Sequence, residues 1–147
     1  MDITSFGHKH NGPQGGAPTA HVGLDLREHF HDKGVDPMLD ELTARDARIR
    51  TLVMATPGIR SVVIATVAQV EAYLECPYAR SSVVEVAVGC SNGHHRAPTS
   101  AMALRAILTG DVEAAEALNV RDLAERFVDR GLQVTLTHRD LDKPAIN

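Results

Sequence analysis

The stretch VVEVAVG, residues 83–89, constrains this chain more than any other. It is apolar at nearly every position, whereas a strand with one wet face would alternate. A run of this kind fits a strand buried on both faces, as in a parallel sheet covered by helices. Parallel strands cannot be joined by tight turns, so the rest of the chain must supply crossovers. Helical patterning appears on both sides of the run. LTARDARIRTLVMA (42–55) places Leu42, Ile49, Leu52 and Val53 on one side. TPGIRSVVIATVAQVEAYL (56–74) offers Thr56 as N-cap and Pro57 at the first helical position. Ile59, Val62, Val63, Thr66, Val67, Val70, Tyr73 and Leu74 follow at helical spacing. Pro98 and Thr99 open another helix, striped by Ala101, Leu104, Ile107 and Leu108. TGDVEAAEALN (109–119) is a helical or loop insertion. VRDLAERFVDR (120–130) reads as an amphipathic helix with Val120, Leu123, Phe127 and Val128 inward and Gly131 as its stop.

Three further segments read as strands: DITSF (2–6), HVGLDLR (21–27) and LQVTLTHR (132–139). The last joins 83–89 through a right-handed crossover. The expected architecture is a single α/β domain, 1–147, with a mostly parallel sheet flanked by helices. Residues 10–20 are expected to be a flexible Gly/Pro-rich loop, EHFHDKGVDPML (28–39) irregular, and 140–147 a loose tail. A chain of 147 residues suits one domain, and 44% hydrophobic with 23% charged residues is a globular profile. No apolar segment reaches the roughly 18 residues of a membrane span, so no membrane association is expected. The first residues lack a signal-peptide pattern, which makes the cytoplasm the expected location. Cys76 and Cys90 are too few for a disulfide framework and fit a reducing compartment.

Net charge is −4 with histidines neutral, which argues against a surface built to neutralise nucleic-acid phosphates. Charging all eight histidines would bring −4 to +4, so anions should bind better toward pH 6. Three Phe, two Tyr and no Trp supply little for base stacking.

The apolar run ends in GCSNGHHRAP (89–98), directly before a helix. Free N–H groups and the dipole at a helix start favour an anion, and ligands of open α/β sheets sit beyond the carboxyl ends of strands. Ser91 adds a hydroxyl, Asn92 an amide, Gly93 freedom in φ, His94 and His95 ring donors, and Arg96 a planar fork for phosphate oxygens. Cys90, Gly93 and Arg96 also satisfy C-x-x-G-x-x-R, the spacing of cysteine-dependent phosphatases, in which a thiolate attacks phosphate. Gly89 stands where those enzymes carry His, and Ala97 where they carry Ser or Thr. His8/His10, His29/His31 and His94/His95 raise a metal site, but no third ligand follows from spacing, so neither metal nor cofactor is expected. No G-x-x-x-x-G-K-[ST] occurs. His138 shares parity with Leu132, Val134 and Leu136 and reads as core-facing; Arg139 and Asp140 read as a structural ion pair of little net worth. Asp25 and Arg27 lie on one strand face and orient each other.

Four motifs in order carry a family resemblance: SFGHKHNGP (5–13), GLDLRE (23–28), GCSNGHHRA (89–97) and THRDLDK (137–143). Together they resemble the C-terminal domain of the RapZ family of RNase adapter proteins. Relative to that pattern Asn11 is an insertion, Asn92 replaces a Gly, and Ser91 and Ala97 replace Thr and Ser. The resemblance implies a phosphofructokinase-like α/β domain that binds an amino-sugar phosphate without transforming it. It implies Lys9, His10, Ser91, Asn92, Gly93, His95 and Arg96 at the ligand, with Arg27, His138 and Arg139 nearby. It also implies a homo-oligomer, with small RNA and a kinase-like or nuclease protein as partners. The kinase-like half that precedes the domain in that family is not part of this sequence, so nucleotide hydrolysis is not carried over. The link over 98–131 is also longer than the family's single helix.

Overall fold

The computed structural model describes residues 1–10, 16–31, 37–76 and 82–147. Expectations that fall on Asn11 to Gly15, residues 32–36 and residues 77–81 lie outside the described residues. Among the described residues four strands, β1 (Asp2–Gly7), β2 (Val22–Asp25), β3 (Glu85–Cys90) and β4 (Thr135–His138), form one all-parallel sheet in the order β2-β3-β1-β4. β3 therefore has a neighbour on each side, and every residue from Val86 to Cys90 is buried. The fold is α/β, a parallel sheet flanked by helices.

The helices are α1 (Ala47–Ala55), α2 (Ile59–Glu75), α3 (Arg96–Leu108), α4 (Val112–Ala117) and α5 (Arg121–Ala124), with 3-10 turns at Pro37–Glu41 and Glu125–Phe127. α3 lies against β1, β3 and β4, and the other four helices all pack on α3. This central position explains its burial: Ala97 to Ala101, Ala103, Leu104 and Ala106 to Leu108 are all inside. On the sheet, Ile3, Val22, Leu24, Val86 and Val88 join the same core. Residues of the opposite parity, Thr4, Ala87 and Thr137, share a recess with Pro18, Thr19 and Ala20 of the loop leading to β2. The apolar run on β3 is thus covered by helices on one face and by a loop on the other.

Several boundaries differ from expectation for local reasons. Thr56 is not the N-cap of α2; it ends α1. Pro57 disfavours helical backbone at the residue before it, so Thr56 turns extended at ψ 127° and its hydroxyl donates to the Leu52 carbonyl at 3.0 Å. Gly58, at φ 91°, then starts α2, and the two helix axes diverge by 85°. α1 begins at Ala47, not Leu42, because the Asp46 carboxylate caps it, accepting from the Arg48 amide at 2.8 Å. α3 starts at Arg96, which leaves Pro98 in the first turn, where its missing N–H costs nothing. The 120–130 helix breaks into α5 and a 3-10 turn, and Val128 is 52% exposed, not inward. Tyr73 likewise lies outside the buried stripe, its ring 5.6 Å from that of His21. The insertion 109–119 contains α4, capped by Asp111. Residues 140–147 do not start as a loose tail: Asp140 and Leu141 are 0% and 1% exposed. Among the described residues no single helix is long and apolar enough to cross a membrane.

Candidate site at the carboxyl edge of the sheet

Beyond Cys90 the chain turns through Ser91–His95 and enters α3. The turn lies between the two central strands because Gly7 and Gly93 meet backbone to backbone. A Cβ on Gly93 would stand 2.8 Å from the Gly7 nitrogen, and one on Gly7 would collide with the Asn92 carbonyl. Gly93 also needs its φ of 78°, which a side chain disfavours.

Asp140 holds the other side of this contact. Its carboxylate is wholly buried and accepts from the Gly7 amide at 2.8 Å, from Arg139 Nε at 2.9 Å and from Lys143 Nζ at 2.5 Å. Burial raises the pKa of a carboxyl, but here the three donors outweigh it and hold the group at about 2. Sequence reading had given Asp140 only a minor ion pair. Its signal, an Asp next to Arg and three residues before Lys, is common on protein surfaces, and only the approach of Gly7 sets it apart.

Three segments enclose the turn. Past β1, the amides of His8 and Lys9 donate to the carbonyls of Cys90 and Ser91 at 2.9 and 3.0 Å. This places Lys9 and His10 beside the turn. His10 is 8% exposed, its Nε2 has no partner among the described residues, and its ring lies 6.3 Å from that of His94. From the segment before α1, the Ala44 amide donates to the His94 carbonyl at 2.8 Å, and the Leu42 carbonyl accepts from His95 Nε2 at 2.5 Å. From the closing segment, the Lys143 carbonyl accepts from His94 Nε2 at 2.8 Å, and the Ile146 amide donates to Asn92 Oδ1 at 2.9 Å. Lys9 Nζ donates to the Ile146 carbonyl at 3.2 Å.

These bonds revise the expected roles. A carbonyl only accepts, so both His94 and His95 carry their proton on Nε2, and that donor is engaged. Either ring offers a second donor, at Nδ1, only as imidazolium. Arg96 directs Nη1 to the carbonyls of Leu26 and Arg27, at 2.5 and 2.8 Å, and so braces the end of β2 against the start of α3. Its remaining nitrogens make no hydrogen bond among the described residues, and Arg96 is one of the residues lining a cleft of about 230 Å³. Phe30, Ile49, Val53, Asp40 and His95 line this cleft as well. Arg27 grips Asp25 through Nε and Nη2, as expected, and that hydrogen bonding holds the Asp25 carboxyl at about 2.

His138 and Arg139 serve the framework. His138 Nδ1 meets the buried Ser5 hydroxyl at 2.7 Å, and burial, reinforced by Arg45, lowers the pKa of the imidazole. Arg139 stacks over Phe6 at 5.2 Å and donates to the carbonyls of Gly16 and Gly7 besides Asp140. His8, which sequence reading used only for metal, packs on Phe6 with Nε2 buried, 3.8 Å from Asp25. Its pKa is lowered by burial and by nearby Arg27. Cys90 is 3% exposed and packed into the core, a poor place for an attacking thiolate. Among the described residues no three His, Cys, Asp or Glu side chains cluster to hold a metal.

The backbone donors of the turn remain. Among the described residues none of the amides from Ser91 to His95 donates a hydrogen bond to backbone or side chain. The amides of Arg96 and Ala97 follow in the first turn of α3, where no intrahelical acceptor exists. Fold and turn together define an α/β binding module with its candidate site at the carboxyl edge of a parallel sheet.

The chain belongs to the RapZ C-terminal domain family, whose model matches residues 1–122. It is similar to the "Nucleotide-binding protein jk1004" of Corynebacterium jeikeium (strain K411), 28% identical over 145 residues. That match covers 97% of this chain and 41% of the relative. A "Nucleotide-binding protein" of Thermobifida fusca (strain YX) is also 28% identical, over 144 residues, with 97% of this chain and 40% of the relative covered. The chain therefore spans about two fifths of the length of these curated relatives. Family and relatives support a binding or regulatory module.

Proposed function

We propose that the module binds a phosphorylated metabolite, a sugar phosphate, at the β3–α3 turn and makes or breaks no bond in it. The observation that carries this reading is the run of amides from Ser91 to His95 with no acceptor among the described residues, continued into the first turn of α3. Donors of this kind at a helix start suit the oxygens of a phosphate monoester. The open side of Arg96 and the ammonium of Lys9 would supply charge, and the cleft beside Arg96 and His95 would take the body of the ligand, with Asp40 accepting from a hydroxyl or amine. The buried thiol of Cys90 favours binding over phosphatase chemistry.

RNA is the weaker ligand for this chain. Among the described residues Arg45, Arg60, Arg121, Arg126 and Arg130 all face carboxylates, which takes five cations away from tracking a phosphate backbone. Self-association and a protein partner that reads the ligand-bound state complete the proposed regulatory role, in a cytoplasmic setting that suits two free cysteines.

Calorimetric titration with glucose 6-phosphate, glucosamine 6-phosphate and inorganic phosphate tests the reading. Saturable binding that weakens at least tenfold in Arg96→Ala and survives in Cys90→Ser is expected, a charge-assisted contact being worth about 1.5–3 kcal/mol. Absence of binding by every phosphorylated compound would overturn it.

A further inference from the structure

We propose that the closing segment, Lys143 to Asn147, is a strap that competes with the ligand of the β3–α3 turn, an inference that rests on the anion-binding reading above. The strap holds two polar groups of the turn and the ammonium of Lys9 beside it. The Ile146 amide occupies Asn92 Oδ1, the Ile146 carbonyl holds Lys9 Nζ, and the Lys143 carbonyl holds His94 Nε2, at 2.9, 3.2 and 2.8 Å. These contacts join residues 49 to 137 positions apart, so proximity in sequence does not produce them.

The strap has a fixed root and an exposed outer part. At the root, Lys143 donates to Asp140 from both its amide and its ammonium, Leu141 is buried, and Asp142 pairs with Arg45. Beyond Lys143 every residue is exposed, and the hydrogen bonds of Ile146 lie at the surface. Bonds of this kind exchange with water at little net cost, so the outer strap lifts without disturbing the core. A phosphate dianion is a stronger partner for the Lys9 ammonium than a neutral carbonyl. Ligand binding therefore draws Lys9 from Ile146 and releases the strap. By linkage, removing the strap tightens ligand binding by the same factor.

The test compares the intact chain with Ile146→Pro, which deletes the donor to Asn92, and with a chain ending at Lys143. Titration with inorganic phosphate and glucose 6-phosphate should show affinity rising about fivefold in both variants, the lower end of ordinary coupling between sites. Hydrogen exchange at the Ile146 amide of the intact chain should speed up as phosphate saturates. Equal or weaker affinity in both variants, or slower exchange at Ile146 with ligand, would overturn the strap alone. Anions that bind neither the intact chain nor the shortened one would overturn the anion-binding reading, and the strap with it. Binding seen only in the variants would support both.

Discussion

Two aspartate–arginine pairs of near neighbours in sequence, at the carboxyl edge of the sheet, have opposite physical characters. Asp25 and Arg27, at the end of β2, form a two-pronged ion pair with both side chains about half exposed, at 50% and 45%. Asp140 and Arg139, just past β4, are 0% and 19% exposed, and the Asp140 carboxylate also receives Gly7 and Lys143. Water already stabilises the first pair, so losing one partner leaves nothing stranded. In the second, Asp140 is cut off from water, and each donor removed leaves buried charge without compensation. The buried pair builds the floor of the turn, and the exposed pair decorates its rim.

Asp140→Ala should give the largest effect. It strands the Gly7 amide and takes from Arg139 the one carboxylate it meets among the described residues, and should cost about 3 kcal/mol or more, read as a shift in the urea midpoint. If it costs no more than Asp25→Ala, the distinction between floor and rim fails. Gly93→Ala comes next, at about 1–3 kcal/mol, because the new Cβ meets the Gly7 nitrogen in a backbone region unfavourable to side chains. The same variant should lose phosphate binding, since the turn must move.

Acid titrates both aspartates, since each is held at about 2, but water screens the effect at the exposed Asp25. Asp140 titrates at about 2 in the fold against an ordinary 3.8, so between these values the unfolded chain binds more protons. Stability from this group is complete above about pH 4 and is lost as pH falls toward 2. His138 acts at higher pH. Burial lowers its folded pKa below 6.5, so its contribution is complete above 6.5 and declines as pH falls below that value. Chemical denaturation from pH 8 to 3 should show the loss from His138 and His8 first, and His138→Gln should remove the His138 share of it. The smallest effect belongs to Asp25→Asn, within about 1 kcal/mol of the parent. A larger loss would mean that the rim also carries the fold.

Much of the architecture was legible in the order of residues. The uninterrupted run on β3 announced a central parallel strand, alternation found β2 and β4, and β1 read as a short strand candidate. Spacing also found the buried stripe of α3, where Ala101, Leu104, Ile107 and Leu108 are all wholly buried. Boundaries were harder where a cap competes with a pattern. The Asp46 carboxylate ends the loop before α1, and the Thr56–Pro57–Gly58 sequence, which resembles a helix start, is the break between two helices. At the site, sequence pointed to the turn and to Lys9 and His10, and the structure brings these together. It could not show that His94, His95 and Arg96 already direct donors at the carbonyls of Lys143, Leu42, Leu26 and Arg27.

Short-range physical chemistry, such as periodicity, glycine's freedom in φ and a helix start after a strand, depends on neighbours in the chain, and the sequence by itself determined it: an α/β sheet with donors at its carboxyl edge. Tertiary structure alone decided which donors stay available and which aspartate is buried. Those outcomes depend on carbonyls and amides that arrive from segments tens of residues away, and a carboxylate's worth is set by how much water the fold removes from it.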